Sequence, residues 1–164
     1  MCYLDGEYNQ IVYDILNNEE FKKLKNIEHH GMTRYDHSLR VSYYSYVLAK
    51  KIGLDYVLVS RAGLLHDFFF SEDDRTKKDR LVSTFVHPKF AVENSLKYFS
   101  VTEKEKNIIE SHMFPLYKTL PKYSESWLVS IVDKVVATYE FSQKFKFKLN
   151  YATNLMILFI ISKL

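Results

Sequence analysis

The chain has long stretches without glycine or proline, the two residues that most often interrupt regular secondary structure. Of its 164 residues, 4 are glycine and 3 are proline, and neither type occurs after Pro121. With 47% hydrophobic residues, so few interruptions favour helices over a β-sandwich or a disordered chain. The length suits one domain with a sizeable core. We therefore predict an all-α fold, a single-domain helical bundle over residues 1–164.

Capping patterns predict the first helices. One or two short helices over residues 7–28 carry an apolar stripe that is expected to cover the core. Thr33 begins a capping box, S/T-x-x-E-like, and so predicts a helix that ends near Gly53. Asp55 is a suitable N-cap for the next helix. We expect that helix to extend to about Phe70.

The second half of the chain shows the same kinds of signal. Proline is favoured in the first turn of a helix, so Pro88 predicts a helix start, with the preceding histidine at its mouth. A second capping box at Thr102 predicts a helix that ends near His112. Ser124 is expected to cap a long helix. A separate terminal helix over residues 151–164 is apolar nearly all round, which indicates either burial in the core or a dimer interface.

Helical spacing predicts which faces point inward. On the helix opened by Thr33, an inward stripe is expected at His37, Val41, Tyr44 and Leu48. Asp133 lies between Val129 and Val136 on an apolar face of the helix that Ser124 begins. That helix carries the apolar residues Trp127, Leu128, Ile131, Val132, Val135, Val136 and Tyr139.

His66 and Asp67 stand next to each other inside a run of large apolar residues, Leu64-Leu65-His66-Asp67-Phe68-Phe69-Phe70. Burying an imidazole or a carboxylate costs free energy unless each has a partner. A metal ion would pair with both at once. The alternative is that the His66 side chain bonds a backbone carbonyl and Asp67 forms a salt bridge.

Other metal-capable groups also occupy inward or helix-terminal positions. Three histidines of the set lie on apolar faces of different predicted helices. Nitrogen and carboxylate ligands without thiolates suit Fe, Mn, Zn or Co, and no C-x-x-C or H-E-x-x-H element competes as a metal site. Each residue singly could be a satisfied core group or a helix cap. The candidate metal ligands are His37, His66, Asp67, His87, His112 and Asp133.

The order H…HD…H…H…D resembles the HD superfamily of metal-dependent phosphohydrolases over about residues 33–140. The resemblance implies an all-α HD-type core. The same order of residues also resembles the binuclear branch of the superfamily. That branch includes small bacterial diadenosine-polyphosphate hydrolases and cyclic-dinucleotide phosphodiesterases. The GYP signature of the phosphodiesterases is absent from this chain. The resemblance implies a first metal on His37, His66, Asp67 and Asp133, a second metal reached by His87 and His112, and a bridging role for Asp67.

The implied reaction is hydrolysis of a phosphate ester or anhydride, in a nucleotide or another small phosphorylated metabolite, by a metal-activated hydroxide. The expected cofactors are divalent ions, two per chain, of Fe, Mn, Mg, Zn or Co. Besides Asp67, we predict catalytic roles for Lys134 and Arg40 as cations that stabilise phosphoryl oxygens. Arg34 is expected to be a surface cation. The alternatives are a di-iron oxidase with the same ligands and a non-catalytic nucleotide sensor.

The remaining expectations concern partners and location. A net charge of +3 is too mild to imply nucleic-acid binding but suits a small anionic ligand. Cys2 is the single cysteine and cannot form an internal disulfide, which indicates a reducing compartment. The longest apolar run, residues 155–161, is too short to span a membrane. We therefore expect a cytoplasmic protein, free of membrane and nucleic acid, with a possible homodimer through the terminal helix.

Overall fold

The computed structural model describes residues 5–29, 32–70 and 77–161, with side chains described at 5–27, 32–70 and 86–147. Helices dominate these ranges, and the one pair of strands is two residues long on each side, so the prediction of an all-α fold is confirmed. The elements are α1 (Gly6–Ile11), α2 (Tyr13–Asn17), α3 (Glu19–Lys22), a 3₁₀ turn (Lys23–Asn26), β1 (Glu28–His29), β2 (Met32–Thr33), α4 (Arg34–Ile52), α5 (Tyr56–Leu65), α6 (Lys77–Tyr98), α7 (Glu103–Ser111) and α8 (Ser124–Ile161).

Local capping explains where the central helices begin and end. The Thr33 side chain accepts a hydrogen bond from the backbone of Asp36 at 3.1 Å and starts α4. Gly53, with a φ of 74°, ends it in the left-handed conformation that glycine adopts most readily. Asp55 accepts from the backbone of Leu58 at 2.9 Å and starts α5. These three cap residues were predicted from sequence.

The core lies between α4 and α5, with α7 and α8 packed against them. The short N-terminal helices pack against this core and bury Tyr8, Ile15 and Phe21 completely. The hydroxyl of Tyr8 donates a hydrogen bond to Ser42 Oγ at 2.8 Å and so ties α1 to α4. Within the described residues, no helix combines the length and the hydropathy needed to cross a bilayer.

Two predicted boundaries were wrong. Helix α5 ends at Leu65, because the His66 side chain bonds the Gly63 carbonyl and the following residues form turns rather than continuing the helix. Helix α6 begins at Lys77 and contains Pro88 in its interior. A proline can sit inside a helix when one backbone hydrogen bond is given up.

The terminal segment also differs from its prediction. It continues α8 without a break, because no glycine or proline interrupts this part of the chain. Residues 162–164, and the side chains that made the terminal helix look like a dimer interface, lie outside the described residues.

The inward face of α4 was predicted only in part. His37 and Val41 are buried, but Tyr44 and Leu48 are exposed. On α8, Val132 and Val136 are buried, whereas the large side chains on the opposite face are exposed: Trp127, Ile131, Val135 and Tyr139. Small side chains take part of the inward face instead, including Ser38, Ser42 and Ser45 on α4 and Ser126 and Ser130 on α8. Serines let the helix backbones approach closely, which a face of large residues would prevent.

Candidate metal centre

All six candidate ligands meet in one buried region between the central helices. His37 lies on α4 and Asp133 on α8, His66 and Asp67 follow α5, His87 lies on α6, and His112 follows α7. Five different helices or helix ends therefore contribute to one cluster. Each of the six side chains is buried, with His66 completely so.

One group consists of His37, His66 and Asp133, whose potential ligand atoms all lie within 4.8 Å of one another. The Nε2 atom of His37 is 3.1 Å from Asp133 Oδ1, and the Nε2 atom of His66 is 3.5 Å from the same oxygen. Two imidazole nitrogens thus face a single carboxylate oxygen. This is a donor set that could hold one divalent cation.

A second group shares His66 with the first and adds Asp67 and His112. His87 joins it: its Nε2 atom lies 3.2 Å from Asp67 Oδ1 and 2.9 Å from His112 Nε2. The other Asp67 oxygen, Oδ2, is 3.9 Å from His66 Nε2. The Asp67 carboxylate therefore lies between the shared histidine and the two histidines of the second group.

Backbone carbonyls fix the orientation of two rings. His66 donates from Nδ1 to the Gly63 carbonyl at 2.7 Å, and His112 donates from Nδ1 to the Ile109 carbonyl at 2.7 Å. Each ring then presents the lone pair of Nε2 to the cluster, the tautomer that a metal ligand requires. The buried Nε2 atom of His66 has no hydrogen-bond partner. An acceptor left in this way within a set of nitrogens and carboxylates fits a cation.

In the metal-free chain, the pKa values of the candidate ligands shift in different directions. Burial opposes a charged His37, but hydrogen bonds to Asp133 and Glu140 outweigh burial and raise its pKa to about 10. Burial also opposes ionisation of Asp133, yet the hydrogen bond from His37 holds its pKa well below the usual range. Burial and the neighbouring His66 and His87 lower the pKa of His112 to about 3. At neutral pH, His37 is therefore protonated and His112 is neutral.

A sequence model of the family described as "HD domain" matches residues 34–138, well over half of the chain. The chain belongs to the HD-domain family. No curated protein and no solved structure matches it significantly. The resemblance inferred from the order of histidines and aspartates is thereby confirmed, and HD domains are mostly metal-dependent phosphohydrolases that bind divalent metals. The roles of the six side chains as ligands stay a prediction for this HD domain.

Glu140 is a member of the site that the sequence reasoning did not identify. Its completely buried carboxylate accepts a hydrogen bond from His37 Nδ1 at 2.8 Å, on the side of the ring away from Asp133. A signal was available, because Glu140 follows Asp133 by seven residues and two helical turns bring both to one face of α8. Arg40 lies behind this pair, with Nη1 3.6 Å from Glu140 Oε1. The predicted catalytic role of Arg40 remains untested, and its contact is with Glu140.

Lys134, the other predicted catalytic cation of this HD domain, is half-buried beside the cluster. Its ammonium group donates to the His112 carbonyl at 2.8 Å, to Ser130 Oγ at 2.7 Å and to the Ser130 carbonyl at 3.2 Å. An ammonium group has three N–H donors, so all of them are taken. Burial lowers the pKa of Lys134. The structure thus connects Lys134 to the backbone of a candidate ligand.

Arg34 is not the surface cation that the sequence suggested: only 5% of it is exposed. Its Nη1 atom donates to the Phe69 carbonyl at 2.5 Å, and its guanidinium lies 3.7 Å from the centre of the Phe69 ring. Phe69 in turn stacks on His87, with ring centroids 4.8 Å apart. The expectation failed because burial of the first turn of α4 depends on Phe69, which is distant in sequence. The stack fixes one wall of the metal centre.

Proposed function

We propose that this HD-domain protein is a metal-dependent phosphohydrolase that cleaves a phosphate ester or anhydride in a nucleotide or another small phosphorylated metabolite. The observation that carries the proposal is the sharing of His66 between two buried donor groups, with the Asp67 carboxylate between them. A single structural ion needs only one such group. Two adjoining groups suit a pair of cations that act on one substrate.

The side chains would divide between the two ions. His37, His66 and Asp133 would hold the first, and His87 and His112 the second, with Asp67 shared. When bound, divalent cations would lower the pKa of a water molecule and stabilise negative charge on phosphoryl oxygens. Two carboxylates cannot neutralise two divalent cations, so the loaded site would attract an anionic phosphoryl group.

The protein's own residues would keep this site rigid and dry. Gly63 and Ile109 carbonyls hold the His66 and His112 rings, and Glu140 holds His37. Preorganised ligands of this kind need no rearrangement when charge develops during the reaction. Arg34, buried beside Asp67 and Phe69, adds a fixed positive charge at one wall. We include Lys134 and Arg40 as supporting cations. Lys134 would act through His112, and Arg40 would act through Glu140.

The test is metal reconstitution followed by a substrate panel. The purified protein is stripped with a chelator and loaded separately with Mn, Fe, Mg, Zn or Co. Phosphate release is then measured with nucleoside mono-, di- and triphosphates, dinucleoside polyphosphates and sugar phosphates. We expect metal-dependent hydrolysis of at least one class, and none by Asp67→Asn protein with an unchanged circular dichroism spectrum.

Two other outcomes would contradict the proposal. Oxygen consumption by the iron-loaded protein, without phosphate release, would indicate the di-iron oxidase. Nucleotide binding without turnover under every metal condition would indicate the sensor.

A further inference from the structure

A second surface of functional interest lies on α8, on the side away from the metal centre. At 100° per residue around the helix axis, the large exposed side chains of this surface fall within an arc of about 120°. The buried residues Asp133, Val136 and Glu140 lie on the opposite face. We call this surface the outer stripe; its large members and their exposures are Trp127 (44%), Ile131 (56%), Val135 (64%), Tyr139 (57%) and Phe145 (61%).

The middle of the outer stripe holds a shallow, open hollow. A hollow of about 400 Å³ is lined by Lys134, Val135, Thr138, Tyr139 and Ser142. Four of these residues stand at positions i, i+3, i+4 and i+7, the spacing that forms a hole for one side chain of a facing helix. The shape therefore points to a helix as the occupant.

Three of the polar side chains around the hollow are already hydrogen-bonded within the chain. The Thr138 hydroxyl donates to the Lys134 carbonyl at 2.7 Å, and the Ser142 hydroxyl donates to the Tyr139 carbonyl at 2.7 Å. The ammonium group of Lys134 is bound to Ser130 and His112. Covering the hollow with an apolar side chain would therefore leave none of these donors without an acceptor.

We propose that the outer stripe pairs with the outer stripe of a second copy of this chain, with the two α8 helices antiparallel. A two-fold interface requires a surface that complements itself. Setting Trp127 against Phe145 of the second copy places Ile131 or Val135 of that copy opposite the hollow. Each copy then supplies both a projecting side chain and the hole that receives it.

Charge and area support the second copy and the antiparallel direction. Lys146 lies at the C-terminal end of the outer stripe, next to Phe145. An antiparallel pair keeps the two copies of this lysine at opposite ends, about 30 Å apart, whereas a parallel pair would bring them together. The stripe would bury on the order of 600 Å² per copy, which puts the dimer at the small end of specific interfaces.

The first test is self-association measured by sedimentation velocity over about a hundredfold range of protein concentration. We expect the unmodified chain to dimerise, and Ile131→Glu to weaken association at least tenfold. Leu96→Glu is the matched control: Leu96 is 50% exposed on α6, away from the stripe. A chain that stays monomeric throughout, or equal loss in both variants, would overturn the proposal. Circular dichroism checks that both variants are folded.

The second test fixes the direction of pairing and does not depend on a charged substitution. In a Cys2→Ser background, Val135→Cys lies near the two-fold axis and Trp127→Cys lies far from it. Under mild oxidation we expect a disulfide-linked dimer with Val135→Cys and little with Trp127→Cys. Equal crosslinking by both would indicate a parallel pair, and crosslinking by neither would contradict the interface.

Discussion

The Nδ1 atom of His37 lies 2.8 Å from Oε2 of Glu140, a residue 103 positions later in the chain. On the other side of the same ring, Nε2 lies 3.1 Å from Asp133 Oδ1. When a carboxylate holds one ring nitrogen of a histidine, the ring is fixed in orientation and its other nitrogen becomes a stronger metal-binding atom. Glu140 therefore holds the ring of the candidate ligand His37 without belonging to either candidate donor group.

Replacing Glu140 with Gln tests this role. The amide has nearly the same size but no charge, so His37 becomes a weaker ligand while the shape of the core is retained. We expect affinity for the ion that His37 would hold to fall about 10–100-fold, as measured by competition with a fluorescent chelator. Glu103→Gln, at a side chain that is 88% exposed, serves as the control. Equal affinities in the two variants would exclude the positioning role.

Graded loss of metal is expected from the two donor groups. Asp67→Asn should remove both ions and all activity, because this carboxylate lies between the groups. His87→Ala or His112→Ala should lose one ion and much of the rate while the fold persists. Metal analysis of each purified variant gives the stoichiometry. A wild-type protein that never holds more than one ion when reconstituted with excess Mn or Fe would contradict the binuclear arrangement.

Metal binding should strengthen as pH rises. With a pKa of about 10, His37 is protonated at neutral pH in the metal-free chain, and a cation can bind its Nε2 only after that proton leaves. We expect the apparent affinity to increase by about tenfold per pH unit between roughly pH 6.5 and 9. Proton release during a metal titration, measured calorimetrically in two buffers, checks this. Metal binding that does not vary with pH would show that the metal does not displace the proton of His37.

The stability of the metal-free protein, unlike its affinity for metal, should fall as pH rises on the alkaline side. The raised pKa of His37 contributes stability that is complete below about pH 6.5 and is lost as pH rises toward about 10. The lowered pKa of His112 acts the other way: its contribution is lost as pH falls from about 6.5 toward about 3. Together, these two histidines therefore place the maximum of the protein's stability near pH 6.5. Thermal unfolding of the chelated protein measures the curve, and His37→Gln should flatten its alkaline side.

Lys134→Met distinguishes two roles for this lysine. The structure predicts a loss of about 1–3 kcal/mol in the free energy of unfolding, because the His112 and Ser130 acceptors lose their donor. A role in direct substrate binding instead predicts a raised KM with unchanged stability. Urea unfolding and steady-state kinetics on the same preparations separate the two. Lys89→Met, at an exposed lysine on α6, is the control for removing a charge.

Gly63→Ala should destabilise the protein where α4 and α5 approach most closely. A Cβ atom at Gly63 would lie 3.1 Å from the Ser42 Cα atom, which is backbone and cannot turn away. We expect a loss of about 1–3 kcal/mol in the free energy of unfolding, together with weaker metal binding, because Gly63 also holds the His66 ring. Gly6→Ala, where a Cβ atom would meet nothing within 4 Å, should be neutral. Equal stability of both variants would contradict the close approach.

The sequence alone determined the helical class, the capping residues and the set of candidate ligands. Thr33, Asp55 and Thr102 each bond a backbone N–H three residues ahead, so their effect is decided within one helical turn. The six histidines and aspartates were recognisable because polar groups are conspicuous on apolar faces. Their convergence on one cluster was expected from the sequence, and the tertiary structure brings them together.

The tertiary structure decided everything that depends on residues distant in the chain. Around Trp127 and Val135, α8 carries large apolar residues on more than one face, so periodicity could not tell which face would be buried; packing against α4 and α7 buries the face of Val132 and Val136. Arg34 is buried because Phe69 lies over it, and Glu140 matters because His37 points at it. Such contacts join segments 35 to 103 positions apart. A local pattern can propose the groups, but only packing brings each one to its partner.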